Sequence, residues 1–322
     1  MSFPFRDETK ILDDKARQVA DGSFIQLPDG VTHYQLSNDS PLPLGAPFED
    51  DKGSGIRDVV LIHGFSVPYF IFDPTFDFLA NSGFRVLRYD LFGRGFSDRP
   101  RTRYTIELFS RQLYDLLHAL RFTAPVNLIG LSMGGPIAAT FTARHPERVR
   151  SLTLIDPSGA SPISLTPLLK VAKLPLVAEL VFGWMGTEGM LRAAGRDFYD
   201  PVLVEHFIEK YRVQMQYKGF KRALLSSVRN NILGSFVNAF ERVGKMDLPV
   251  LLFWGREDGT VPFEHSDDLR AVMPNAQFHV IEKCGHIPHY EKPGEVNPIL
   301  LDFLKNHEYS KITRSDKEYI HE

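Results

Sequence analysis

Short apolar runs recur along the chain, separated by stretches with helical spacing. Val59–Ile62 and Val250–Trp254 are apolar at every position, the pattern of a strand buried on both faces. Phe84–Tyr89, Val126–Ile129, Val149–Ile155 and Gln277–Ile281 also read as strands. Between them, Phe72–Asn81, Thr105–Leu120, the run leaving Pro136, Ser266–Val272 and Glu295–Lys305 are compatible with helices. In Thr105–Leu120 the residues Ile106, Phe109, Leu113, Leu116, Leu117 and Leu120 fall on one face. Phe24–Leu27 and Val31–Leu36 alternate in polarity around Pro28-Asp29-Gly30 and predict a hairpin. Strands alternating with helices predict an α/β fold, a mainly parallel twisted sheet with helices on both faces.

The alternation stops at Asp156 and resumes after Asp247. The expected organisation is a core domain in two parts, residues 1–156 and 247–322, interrupted by a helical insertion over 157–246. That insertion carries many apolar residues (Leu168, Leu174, Leu180, Phe182, Trp184 and others) and then a basic series, Lys210, Arg212, Lys218, Lys221, Arg222 and Arg229. The basic series reads as a solvated face. Residues 1 to about 22 read as a short helix or frayed arm. Residues 37–57, rich in Pro, Gly, Ser and Asp, read as a surface loop, and 306–322 as a polar tail.

Composition changes this picture little. A net charge of −3 over 322 residues gives no general pull toward nucleic acid or anionic membranes. The single cysteine, Cys284, excludes an intrachain disulfide. No run reaches transmembrane length without interruption, so no integral membrane segment is expected. The start lacks a basic segment followed by an apolar one, so the chain reads as cytoplasmic. There is no phosphate-binding or dinucleotide glycine signature, and no metal-ligand spacing, so neither cofactor nor metal is expected.

The chemistry concentrates at Gly130-Leu131-Ser132-Met133-Gly134, between a strand and a helix-compatible run. A strained turn there lifts the serine clear of the sheet beside the next N–H and a helix N-terminus, and only small neighbours fit. A serine nucleophile needs a general base, a group to orient it, and donors for an oxyanion. In a parallel sheet these belong in loops at the carboxyl ends of strands. His286, in Cys284-Gly285-His286 after the strand Gln277–Ile281, is the candidate base. His289 is the runner-up, and His279 lies inside the strand, where a structural role is expected. Asp258, after Phe253-Trp254-Gly255-Arg256-Glu257, is the candidate acid, with Glu257 and Asp156 as alternatives. The oxyanion donors are expected to be the backbone N–H groups of Met133 and Phe65, the latter in His63-Gly64-Phe65-Ser66. His63 itself reads as a loop-fixing residue, and Gly93-Arg94-Gly95 as a structural turn.

Together these motifs resemble the α/β-hydrolase superfamily over roughly Phe24 to Lys305. The order Ser132, Asp258, His286 is the nucleophile–acid–histidine order of that superfamily. Asp90-Leu91-Phe92-Gly93-Arg94-Gly95-Phe96-Ser97 also stands where its members carry a similar motif. The resemblance implies the α/β-hydrolase fold and makes the insertion a cap, or lid, over the active site. A serine nucleophile separates the chain from dehalogenases and epoxide hydrolases, which use aspartate. Carbon–carbon bond hydrolases of aromatic-ring cleavage usually have Asn before Ser-Met-Gly-Gly and a glycine-rich run after His-Gly. Leu131 and Phe65-Ser66-Val67-Pro68 stand there instead. Met133 differs from the Trp of proline iminopeptidases. The resemblance therefore implies a serine carboxylesterase or monoacylglycerol lipase acting on a small-molecule, apolar ester. Carbon–carbon bond hydrolysis of vinylogous diketones and lactonase chemistry are the alternatives, and a ligand receptor on the same fold is the non-enzymatic one. Oligomeric state is not legible.

Overall fold

The computed structural model describes residues 5–37, 58–161 and 177–307. The predicted loop after the hairpin, the segment 162–176 and the polar tail from 308 lie outside the described residues. Eight strands form one sheet: β1 (Ser23–Leu27), β2 (Gly30–Leu36), β3 (Asp58–Ile62), β4 (Arg85–Tyr89), β5 (Val126–Leu131), β6 (Val149–Ile155), β7 (Val250–Gly255) and β8 (Gln277–Ile281). Their spatial order is β1-β2-β4-β3-β5-β6-β7-β8. β1, β2 and β4 pair antiparallel, and every later pairing is parallel.

The apolar run Val59–Ile62 of β3 follows from its position. Val60 and Ile62 enter one apolar layer, with helices α3 (Ile106–Ala119) and α4 (Gly134–Arg144). Val59 and Leu61 enter the other, with α2 (Asp73–Asn81) and a C-terminal helix, Pro293–Asn306. A strand clothed on both sides favours apolar side chains, and its one charged residue, the buried Asp58, is paired with Arg85 at 2.6 Å. Register also sets the site. Ile62 lies beside Gly130, Leu131 beside Ile155, Ile155 beside Phe253, and Gly255 beside Ile281. The carboxyl ends of β3, β5, β6, β7 and β8 are therefore level, and their loops open onto one edge.

Between β6 and β7 the described chain is helical: α5 (Val177–Ala194, kinked at Gly186), α6 (Val204–Met215), α7 (Phe220–Arg229) and α8 (Val237–Gly244). These form the cap region. The last of them packs on α4, with Phe240 and Val243 in the layer of α3 and α4.

Of the two expectations for the N-terminal arm, a short helix and a frayed segment, the short helix is found. Only Asp14–Arg17 is helical (α1), but the arm is fastened to the cap. Lys10 N–H donates to Gln216 O at 2.8 Å, and Lys218 N–H to Lys10 O at 2.9 Å. The Glu8 carboxylate accepts from the N–H groups of Gly219 and Lys221 at 2.7 and 2.6 Å, supplying acceptors at the start of α7. Lys221 is fully buried, with its ammonium 2.6 Å from Asp7. The basic series is thus not a solvated face throughout. Besides Lys221, Arg229 pairs with Glu179 at 2.8 Å and Lys210 with Asp73 at 2.6 Å, while Arg222 donates to Arg99 O at 2.6 Å. Spacing along the insertion identified the charges but not the partners, some of which come from outside it (Asp7, Asp73, Arg99) and one, Glu179, from an earlier helix of the insertion itself.

Candidate active site

Ser132 stands at the tip of a sharp turn between β5 and α4, with φ at +51°, a rarely populated conformation for a residue with a side chain. The turn is held from outside: Ser132 N–H donates to Ile155 O at 2.9 Å, and Ser158 N–H to Ser132 O at 3.2 Å. The flanking glycines are required by crowding. A Cβ at Gly130 would lie 2.4 Å from Gly134 O, and one at Gly134 would lie 2.1 Å from Ile62 O. Met133 follows at the N-cap of α4, and its N–H donates to no group among the described residues.

The loop after β3 faces this turn, and a Cβ at Gly64 would lie 3.7 Å from Ser132 Oγ. His63 is fully buried, with Nδ1 2.9 Å from Gly64 O and Nε2 accepting from Leu91 N–H at 2.9 Å. Burial pushes its pKa down to about 4, which keeps it neutral, and it joins the loops after β3 and β4. Arg94 supports the next residue. Its Nε donates to Phe65 O at 2.8 Å, and its other nitrogens donate to Phe92 O and to Ser227 Oγ on α7. The Arg94 side chain is wholly buried, and its hydrogen-bond partners among the described residues are these two carbonyls and one hydroxyl, with no carboxylate. Desolvation brings its pKa down to about 10, so it remains a cation. Asp90 holds the same turn from below, accepting from Tyr69 N–H at 2.9 Å, from Phe96 N–H at 2.9 Å and from His33 Nδ1 at 2.7 Å.

On the opposite side, His286 Nδ1 and Asp258 Oδ2 are 2.7 Å apart, both residues being buried. The other Asp258 oxygen accepts from Thr260 N–H at 2.8 Å and Val261 N–H at 2.9 Å. Burial works against an imidazolium at His286, but the neighbouring Asp258 and Asp197 outweigh it, so its pKa is raised. The structure thus brings the predicted acid and base together. Among the described residues, no hydrogen bond joins Ser132 to His286. Such contacts commonly tighten only with substrate.

The alternatives fall in different places. His289 is buried against Phe72, ring centroids 4.6 Å apart, and burial depresses its pKa to about 3. His279 lies in β8. Glu257 is turned to Cys284 N–H at 2.9 Å. Asp156, however, shares the site: ligand atoms of Asp156, Asp258 and His286 lie within 4.8 Å of one another. Asp156 accepts from Gly255 N–H at 2.8 Å. Burial, and then the negative charge of Asp258, raise its pKa well above its ordinary value, and its other carboxyl oxygen, Oδ2, is buried without a hydrogen-bond partner among the described residues.

Three residues near the site carried no sequence signal that singled them out for it: Arg94, read only as part of a turn; Glu291, beside the runner-up histidine; and Asp197, inside the helical insertion. Glu291 accepts from Gly285 N–H at 3.2 Å and from the Tyr199 and Asp200 N–H groups at 3.0 Å. Among the described residues, no helix is long and apolar enough to cross a membrane.

A sequence profile of the alpha/beta hydrolase family matches residues 59–299. The 2-hydroxy-6-oxononadienedioate/2-hydroxy-6-oxononatrienedioate hydrolase of Cupriavidus pinatubonensis is 27% identical over 293 residues, covering 88% of this chain and 95% of that protein. The enzyme of the same name from Paraburkholderia phymatum is 30% identical over 279 residues, covering 79% and 89%. Among solved structures, the meta-cleavage product hydrolase from Pseudomonas fluorescens IP01 superimposes with a TM-score of 0.71 at 23% identity, covering 88% of this chain and 98% of that one, which shows a shared fold.

Proposed function

The chain belongs to the alpha/beta hydrolase family, a hydrolytic enzyme family, and we propose that it is a serine hydrolase splitting a carbon–carbon bond beside a keto group in vinylogous diketones. The observation that carries this reading is the similarity to dienedioate hydrolases along most of both chains. It reverses the preference that the motifs alone suggested, in which esters came first.

The side chains suit the reaction. Ser132 Oγ adds to the keto carbon as His286 Nε2 takes its proton. The developing oxyanion is received by the N–H groups of Phe65 and Met133. The substrate reacts as its 2-keto tautomer, in which the dienol proton has moved to the carbon beside the keto group, so that when the carbon–carbon bond breaks its electron pair passes into the conjugated system of the departing dienolate. The His286 imidazolium returns the proton to that fragment. Water, deprotonated by His286, releases the acid from Ser132. Asp258 holds Nδ1 protonated and stabilises the imidazolium in both halves.

A second reading, hydrolysis of apolar carboxylic esters, is favoured by Leu131 and Phe65-Ser66-Val67-Pro68. Both readings share the acyl-enzyme and differ in the leaving group. The test assays purified protein and Ser132→Ala on a 2-hydroxy-6-oxo-dienoate, followed by loss of its dienol absorbance, and on nitrophenyl esters of increasing length. The expected result is turnover of the dienoate in preference to every ester, abolished in the variant. Ester turnover alone selects the second reading. Turnover surviving Ser132→Ala removes the serine from both.

A further inference from the structure

The catalytic histidine proposed above is gripped from the cap. Asp197 ends a short turn, Gly195–Asp197, between α5 and α6. Its main-chain carbonyl accepts from His286 N–H at 2.7 Å. Only a glycine at 285 permits that approach, because a Cβ there would lie 2.3 Å from Asp197 O. Glu291 staples the same two segments, one oxygen on Gly285 N–H and the other on the N–H groups of Tyr199 and Asp200.

The Asp197 side chain is also committed to this place. Oδ1 accepts from Thr260 Oγ1 at 2.5 Å, while Thr260 N–H donates to Asp258 at 2.8 Å. One threonine therefore holds two carboxyl groups in fixed relation, Asp258 bonded to the imidazole and Asp197 from the cap. Each of these acids acts electrostatically on the ring; burial raises the Asp197 pKa, and the His286 charge and the Thr260 hydrogen bond oppose that rise. The titratable groups around His286 are Asp258 from the loop after β7, Asp156 from the end of β6, Asp197 from the cap, and His289 and Glu291 from the helix Pro288–Glu291. Asp156 and His289 belong to the core, which leaves Asp197 as the cap's contribution to the field at the ring.

We propose that Asp197 is a positioning residue through which the cap sets the catalytic histidine: its carbonyl fixes the His286 backbone, and its Thr260-held carboxyl group supplies a second negative charge for the imidazolium. The cap is then part of the acid–base machinery as well as a cover. This rests on His286 being the base, so the first readout requires no substrate.

The His286 imidazole is titrated by long-range proton–nitrogen NMR in wild type and in Asp197→Asn, which keeps the backbone carbonyl and an acceptor for Thr260. The expected result is a midpoint lower by about one unit, the lower end of what a neighbouring charge does. With whichever substrate is turned over, the acid limb of kcat/KM shifts the same way. kcat falls about tenfold, a fraction of what acid–base catalysis supplies, with KM little changed, and Asp197→Glu restores the limb. Thr260→Val, which frees the carboxyl but keeps the N–H to Asp258, shifts the midpoint in the same direction and serves if Asp197→Asn does not fold. An unchanged midpoint in the folded variants overturns the proposal, even if activity is lost. A shifted midpoint without a shifted rate profile keeps Asp197 beside the ring and instead removes His286 as the base.

Discussion

Replacing Asp258 by Asn tests the acid–base pair with almost no change in shape. The outcome follows from the hydrogen bonds around Asp258. One of its oxygens accepts from two backbone amides, Thr260 N–H and Val261 N–H. An asparagine must leave its own oxygen there, since an NH2 group facing two N–H donors would leave three donors without acceptors. The amide nitrogen is thereby forced to the position 2.7 Å from His286 Nδ1. Nδ1 must then become an acceptor, and the ring proton moves to Nε2, the atom that has to take the Ser132 proton. The wrong tautomer costs about 10⁴ in kcat, as for the aspartate of a serine protease, and at 1.36 kcal/mol per decade this is about 5.5 kcal/mol of transition-state stabilisation. The assay is single-turnover and steady-state kinetics with the preferred substrate, together with a thermal melt. A melting temperature near wild type with kcat down by about four decades is expected. A loss below tenfold refutes the reasoning, because either the imidazole does not need Asp258 or Asp156 has taken over its role.

Three further outcomes follow from the same structure. Asp7→Asn leaves the buried Lys221 ammonium without a counter-charge, and chemical denaturation should report a loss of about 3 kcal/mol, the low end for a broken buried pair because Asp7 is 28% exposed. Lys221→Met, which removes the charge itself, should stay within about 1 kcal/mol of wild type; equal losses in the two variants would contradict this. Asp156, with its pKa raised, keeps its proton in the native state while the unfolded chain releases it, so stability from this group falls as pH rises above the ordinary carboxyl range. In Asp156→Asn that fall is absent, and melts at pH 4 and pH 8 should show the variant gaining on wild type at the higher pH. Gly134→Ala drives a Cβ into Ile62 O, and should cost roughly 1–3 kcal/mol with loss of turnover; a fully active, stable variant would show that the turn is not so confined.

Much of the fold and part of the site could be read from local pattern. Val59–Ile62 announced a strand covered on both faces, and the Ile106 to Leu120 stripe announced a helix, because burial on a sheet or beside one leaves a periodic trace. The serine turn was legible because its crowding excludes side chains at Gly130 and Gly134. The pairing of Asp258 with His286 followed from the habit of parallel sheets to gather loops at one edge. What stayed hidden depends on which strands and segments become neighbours. Asp156 and Asp258 are far apart in sequence, and only the adjacency of β6 and β7 brings them together. Lys221 looks like any lysine on an amphipathic helix until the N-terminal arm is laid across it. Asp197 lies in a helical insertion with no strand to mark a carboxyl end, and Arg94 in a turn whose partners are carbonyl and hydroxyl oxygens with no local pattern.

The arm that grips the cap has a consequence for the order in which the chain assembles. Glu8 and Gly219 are 211 residues apart, and Asp7 and Lys221 are 214. Closing a free loop of that span costs on the order of 5 kcal/mol in chain entropy, so these contacts become favourable only once the intervening core has already drawn its ends together. Asp7 and Glu8 therefore find their places after most of the sheet is built. Contacts absent from the folding transition state retard escape from the native state and leave the approach to it unchanged. The arm is a latch in the kinetic sense. Its loss shortens the lifetime of the folded enzyme without slowing the folding that precedes it.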